Sequence, residues 1–197
     1  MRIVVIGATG TIGRAVVEAL RPGNEIIEAS RSKSPVTVDI ADPSSIRAMY
    51  ERVGQVDAVI SAAGDARFKP FDQLGDDDFA FSLANKLMGQ VNLVRYGFAS
   101  VREGGSFTIT SGVLAQKPMQ GSGAVSLVNA GLEGFVRAAA LEAPRGIRVN
   151  VVSPPWVTET LIAYGMDPAI GLPAATVAKA YVRSVTGKET GTVISPS

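Results

Sequence analysis

Short runs of β-branched and aliphatic residues alternate along the chain with longer stretches of helical spacing. Arg2 to Ile6 reads as a buried strand ending at Gly7. A glycine-rich turn follows, then a helical stretch from Arg14 to Leu20 closed by Arg21-Pro22-Gly23. Glu25 to Ser30 and Val36 to Val38 predict a second and a short third strand. Asp42-Pro43-Ser44-Ser45 predicts a helix start, with Ile46, Met49, Tyr50 and Val53 at helical spacing behind it. Val56 to Ser61 is a fourth strand, stopped at Ala62-Ala63-Gly64. A long helix is expected over Asp76 to Ser100, a fifth strand over Gly105 to Thr110 and a second long helix over Ser122 to Leu141. Arg148 to Val152 predicts a sixth strand. Thr158 to Pro173 has no regular period, Ala174 to Ser184 is helical, and Thr192 to Ile194 is a last short strand.

Strands that alternate with helices, each strand a near-continuous apolar run, predict a sheet covered on both faces. The expected fold is α/β: a doubly wound parallel sheet, Rossmann-type, in one domain over residues 1–197. At 46% hydrophobic and 19% charged residues the chain is globular and not disordered. A formal net charge of +1 gives no field that would favour nucleic acid or an anionic membrane. No apolar run is read as reaching the length of a membrane span, and Met1 to Gly7 is too soon broken by glycine for a signal peptide. The expected location is cytoplasmic.

Two absences narrow the chemistry. With no cysteine there is no thiolate nucleophile, disulfide or cysteine zinc site. With no histidine there is no serine–histidine triad and no imidazole base or ligand. Asp76, Asp77 and Asp78 suit the positive end of a helix and are not read as a metal site. What remains is Ser, Tyr, Lys, carboxylates or a bound organic cofactor.

The turn Gly7-Ala8-Thr9-Gly10-Thr11-Ile12-Gly13 lies between a strand and a helix. Glycine lets the backbone turn tightly, and the helix N-terminus then offers free N–H groups to a pyrophosphate. The second strand ends in Ser30-Arg31-Ser32-Lys33, a cluster of phosphate donors where a carboxylate would bind the ribose hydroxyls of NAD. Glu28 is the only carboxylate nearby and lies inside the strand. NADP(H) is therefore the expected cofactor.

These segments, together with Val38-Asp39-Ile40, Ile109-Thr110-Ser111-Gly112, Leu132-Glu133-Gly134-Phe135-Val136-Arg137 and Val149 to Pro154, resemble the short-chain dehydrogenase/reductase family in order and spacing over nearly the whole chain. The resemblance implies roles. Asp39 and Ile40 would sit at the adenine, and Ala62, Ala63 and Gly64 would line the dinucleotide. Ser111 matches the serine that meets the substrate carbonyl. Pro154, Trp156 and Val157 would cover the nicotinamide side, and residues 158–173 would form a short substrate lid. The two long helices resemble those that build a homodimer or homotetramer.

One departure stands out. The family carries Tyr-x-x-x-Lys on the second long helix, and the register here puts Val125 and Asn129 at those positions. The family's active-site asparagine position, on the first long helix, holds Lys86. The expectation is that the ammonium is supplied from the other helix, so Lys86 joins Ser111 as a candidate catalytic residue. Tyr164 in the lid is read as packing, and Trp156 as either packing or a pocket wall. The expected function is NADP(H)-dependent oxidation or reduction of a small carbonyl or alcohol. The alternatives are an NADP(H)-binding sensor without turnover, or a reductase of a quinone or activated alkene.

Overall fold

The structure is a computed structural model describing residues 1–197. Seven parallel strands form one sheet in the order β3-β2-β1-β4-β5-β6-β7. They are β1 (Arg2–Ile6), β2 (Glu25–Ser30), β3 (Val36–Thr37), β4 (Val56–Ser61), β5 (Val101–Thr110), β6 (Arg148–Val152) and β7 (Val193–Ile194). The strand order reverses between β1 and β4, which pair in register from Ile3 with Ala58 to Ile6 with Ser61. In open α/β sheets a crevice forms beyond the strand C-termini at such a reversal.

Alternation along β1 shows why both faces are covered. Ile3 and Val5 enter one apolar core, and Val4 and Ile6 the other. The first core is closed by α1 (Thr11–Leu20) and α7 (Ala174–Thr186). The second is closed by α2 (Pro43–Val53), α4 (Gly89–Gly97) and α5 (Gly123–Glu142). Asp42 caps α2 by accepting the Ser44 N–H at 2.8 Å, and Pro43 starts the helix where a missing N–H costs nothing. Helix α5 buries Ala124, Val128, Leu132 and Val136, one residue per turn, against the sheet.

Three expectations change. The stretch from Asp76 to Ser100 is not one α-helix: α3 (Asp76–Ser82) passes into a π-helical turn over Leu83–Met88 before α4, and the helix stops at Gly97. Gly89 and Gly97 allow close packing there; a Cβ would lie 2.9 Å from Ile40 Cγ1 and 2.5 Å from the Tyr50 hydroxyl. Strand β5 starts earlier, at Val101, with a register break between Val56 and Ala58 opposite it. The irregular stretch holds a short helix, α6 (Thr158–Ala163), and a 3₁₀ turn over Pro168–Ile170. In addition, α5 is long and apolar enough to cross a membrane by length and composition alone, contrary to the sequence reading. In the fold it lies against the sheet.

Candidate functional site

The glycine turn joins β1 to α1 at the strand reversal. Gly7 has φ +82°, and a Cβ on it would lie 2.7 Å from the Ala62 carbonyl oxygen. A Cβ on Gly13 would lie 1.9 Å from the Gly7 carbonyl oxygen, so only glycine lets α1 start this close to β1. Gly10 stands at the N-cap with no side chain to cap the helix. The first N–H groups of α1, on Thr11, Ile12 and Gly13, are left for an anion.

Two cavities of about 280 Å³ each meet at Ala62, Ala63 and Gly64. One is lined by Gly7, Thr9, Gly10, Ser30, Arg31, Asp39 and Ile40, together with Asn85. The other is lined by Ile12, Lys86, Ser111, Asn129, Pro154, Trp156 and Val157, among others. Most of the sequence candidates therefore converge on one cleft; Thr11 and Gly13, in the first turn of α1, are not among the residues that line it. Ser32 lies beside it, in a groove with Arg31, Lys33 and Arg14. Arg31, Ser32 and Lys33 are exposed, and neither cation has an acidic partner within ion-pair distance. Glu28 is held by Arg21 at 2.7 Å. Arg14 escaped the sequence reading because basic residues were sought only at the end of the second strand.

At the other end of the cleft, Gln90 fixes the π-turn to the tip of β5. Its side-chain amide donates to the Thr110 carbonyl and accepts the Thr110 N–H, both at 2.8 Å, as a strand neighbour would. Lys86, half-buried in that π-turn, reaches the Ser111 carbonyl oxygen with Nζ at 3.4 Å. A π-turn inside a helix is a frequent mark of a functional site. Burial pushes the Lys86 ammonium down to about 8, while Asp65 pulls the other way.

Ser111 lines the same cavity as Lys86, but its hydroxyl is not free. Its hydroxyl donates to Glu133 Oε1 at 3.0 Å and so does not point its hydrogen into the cleft. Asn129 lies one turn before Glu133 on α5, beside Gly112, with Nδ2 3.4 Å from the Gly112 carbonyl oxygen. Its Oδ1 is buried without a partner, as is Ser153 Oγ at the end of β6. An orphaned acceptor on a cleft wall fits a ligand that brings a hydroxyl.

A family described as enoyl-(acyl carrier protein) reductase matches residues 11–195. The chain belongs to the short-chain dehydrogenase/reductase family. It is similar to an uncharacterized oxidoreductase of Schizosaccharomyces pombe, 29% identical over 77% of this chain and 65% of that protein. Hydroxynaphthalene reductase of Aspergillus fumigatus is 25% identical over 70% of this chain and 54% of its own length. The chain thus spans about half to two thirds of the length of the first curated relatives it matches. Solved structures match more fully. Protein lin1944 of Listeria innocua superposes with TM-score 0.95 and 41% identity over 99% of this chain and 98% of that one. A small-chain dehydrogenase in complex with NADPH gives 0.87 and 26% over 99% and 95%.

Within a short-chain dehydrogenase/reductase frame, no tyrosine reaches the reacting end of the cleft. Val125 is half-buried and does not line it. Tyr50 and Tyr181 are sealed in the cores, where burial pushes both phenols up. Tyr164 is 71% exposed, so its side chain is neither a pocket group nor the packing residue expected. Trp156 is a pocket wall, edge-on to Phe68 at 6.4 Å between ring centres.

Proposed function

We propose that this protein is an NADP(H)-dependent oxidoreductase acting on a small carbonyl or alcohol. One observation carries the reading: a single cleft has an uncapped glycine turn and free cations at one end and Lys86 with Ser111 at the other. The pyrophosphate would be held by the N–H groups after Gly10, the adenine between Asp39 and Ile40, and the 2′-phosphate by Arg31 with Lys33 and Arg14. Asn129 Oδ1 would accept a hydroxyl of the nicotinamide ribose. The bound cofactor supplies or takes the hydride. The protein orients both reactants and places a cation beside the reacting oxygen. Lys86 is that cation, and its lowered affinity for a proton puts it in the range useful for polarising or protonating a carbonyl.

The relative solved with NADPH supports this choice of cofactor, as does Glu28, whose carboxylate is tied to Arg21. The short lid over residues 158–173 and the modest cleft favour small substrates. Assembly into a homo-oligomer through the stretch α3–π-turn–α4 and through α5 belongs to the same proposal, supported by exposed Met88 in the π-turn and exposed Leu127 on α5. The second reading, an NADP(H) sensor without turnover, draws on Val125 and Asn129 at the family's tyrosine and lysine positions.

Calorimetric titration with NADPH and separately with NADH tests the proposal. The expected result is tight NADPH and weak NADH binding, with the difference lost in Arg31→Ala. Binding of neither overturns the oxidoreductase and sensor readings together. Binding without turnover on any carbonyl or alcohol leaves the sensor.

A further inference from the structure

Glu133 is the only charged residue among the fully buried side chains, at 5% exposure, and no cation lies within ion-pair distance of it. Each carboxylate oxygen has one donor. Ser111 Oγ donates to Oε1 at 3.0 Å, and Gln116 Nε2 donates to Oε2 at 2.6 Å. A buried carboxylate without a counter-charge is costly, and two hydrogen bonds from neutral groups offset only part of that cost. The family's own signature assigns no work to this position. Yet the group is hydrogen-bonded to Ser111, which lines the same cavity as Lys86 and Asn129.

The direction of that hydrogen bond decides what Ser111 can do. An ionised carboxylate only accepts, so the Ser111 hydrogen is committed to Glu133. Ser111 then shows the cleft a lone pair. It can accept from a substrate hydroxyl and cannot donate to a substrate carbonyl. If Glu133 gains a proton, the pattern reverses: Glu133 donates to Ser111 Oγ, and the Ser111 hydrogen turns to the cleft.

We propose that Ser111 and Glu133 are the proton-accepting pair of this site, with Ser111 touching the substrate and Glu133 storing the proton behind it. The inference rests on the oxidoreductase reading above. In the oxidising direction the substrate O–H bond breaks and its proton joins Ser111 Oγ. The original Ser111 proton passes to Glu133 Oε1. The substrate carbon gives up a hydrogen with its electron pair to the oxidised nicotinamide, and a C=O bond forms. The alcohol is oxidised, the nicotinamide reduced, and the net proton rests on Glu133. Reduction runs through the same steps backwards. Lys86 keeps its proton throughout and stabilises negative charge on the oxygen. The pair replaces the missing tyrosine without any residue from the Val125 position, and Glu133 acts through Ser111 as a positioning and proton-storing residue.

The test uses the full chain, NADP⁺ or NADPH, and a panel of secondary alcohols and their ketones headed by cyclohexanol and cyclohexanone. Glu133→Gln, Ser111→Ala and the double variant are compared with wild type. Each single variant is expected to lose about 100-fold or more in kcat/KM in both directions. NADPH affinity and melting behaviour should stay close to wild type. The double variant should lose no more than either single one, since the two residues act as a unit. A second readout needs no turnover. In protein with ¹³C-labelled glutamate carboxyl groups, the infrared carboxylate band that disappears in Glu133→Gln should shift in Ser111→Ala. Glu133→Gln with near-wild-type turnover overturns the pair alone. So does an unmoved infrared band, or additive losses in the double variant. Wild type that binds NADPH but is inert on the whole panel removes the oxidoreductase reading and the pair with it. If Glu133→Gln does not fold, Glu133→Asp, which also removes the labelled glutamate carboxyl at this position, assigns the band, and its shift or lack of shift in Ser111→Ala decides.

Discussion

The two ends of the cleft are built by different means. Around the glycine turn the work is done by backbone: a positive φ at Gly7, a helix start without a cap, and approaches so close that any Cβ would collide. At the tip of β5 it is done by side chains reaching in from three elements: Lys86 from the π-turn, Ser111 from the strand end, and Glu133 and Asn129 from α5. Backbone geometry tolerates little substitution at the first end, where a Cβ on Gly7 or Gly13 would meet backbone at under 3 Å. Side-chain chemistry can be redistributed among neighbouring helices, and the proposed role of Lys86 would be such a redistribution.

The sharpest way to break this comparison is to remove the relocated ammonium. Lys86→Met is expected to lower turnover by about 100- to 10,000-fold. NADPH affinity should change little, because on the proposed reading the other end of the cleft would bind most of the cofactor. In the unchanged protein, carbonyl reduction should be highest below about pH 8 and fall as pH rises through that value. The sign follows from the charge: reduction needs the protonated ammonium, and burial has lowered its pKa. A rate that is flat across that range, or full activity in Lys86→Met, would sink the assignment.

The backbone end breaks in the opposite manner. Gly13→Ala puts a methyl group where the Gly7 carbonyl oxygen lies 1.9 Å away, so the turn must open or α1 must shift. Binding of NADPH should weaken by about 100-fold, equivalent to about 3 kcal/mol. The melting temperature should fall too, since this is overpacking against backbone. Calorimetry and a melt of the variant check both. Affinity preserved in Gly13→Ala would show that the turn is not the pyrophosphate cradle.

Legibility in the sequence follows the same division. The parallel sheet and the glycine turn were legible because apolar runs and glycine spacing encode backbone directly, while the strand order was not. Ser111 and Lys86 were legible by register and both line the cleft. Other parts were hidden for physical reasons. Asn129 and Glu133 are four apart and share a helix face, but nothing local says that the tip of β5 lies opposite. Gln90 looks like an ordinary helix residue until its amide is seen pairing with Thr110. The π-turn leaves no period of its own in one turn of chain.

A smaller effect is expected where exposed side chains select the cofactor. Arg31→Ala removes a charge-assisted contact to the 2′-phosphate, worth about 10- to 100-fold in NADPH affinity. NADH binding should be unchanged, and Arg14→Ala should act the same way with less loss. Parallel titrations of both cofactors separate this from a general weakening. Equal losses for NADH and NADPH would mean that the arginines support the loop and not the phosphate.

The smallest effect bears on Asn129, where the two ends of the cleft meet in one residue. In the free protein its Oδ1 is buried without a partner, which costs stability. Asn129→Leu keeps the branched shape and removes that orphan, so the unliganded protein should melt no lower than wild type and as much as about 1 kcal/mol more stable. With NADPH present the sign should reverse. The ribose hydroxyl loses its acceptor, affinity falls by about tenfold, and the stabilisation gained from saturating cofactor shrinks by about 1.4 kcal/mol. Melting curves with and without NADPH measure both halves in one experiment. A leucine variant that is destabilised without cofactor yet gains the full shift with it would place the Asn129 side chain in the protein's own packing, leaving the ribose to other groups.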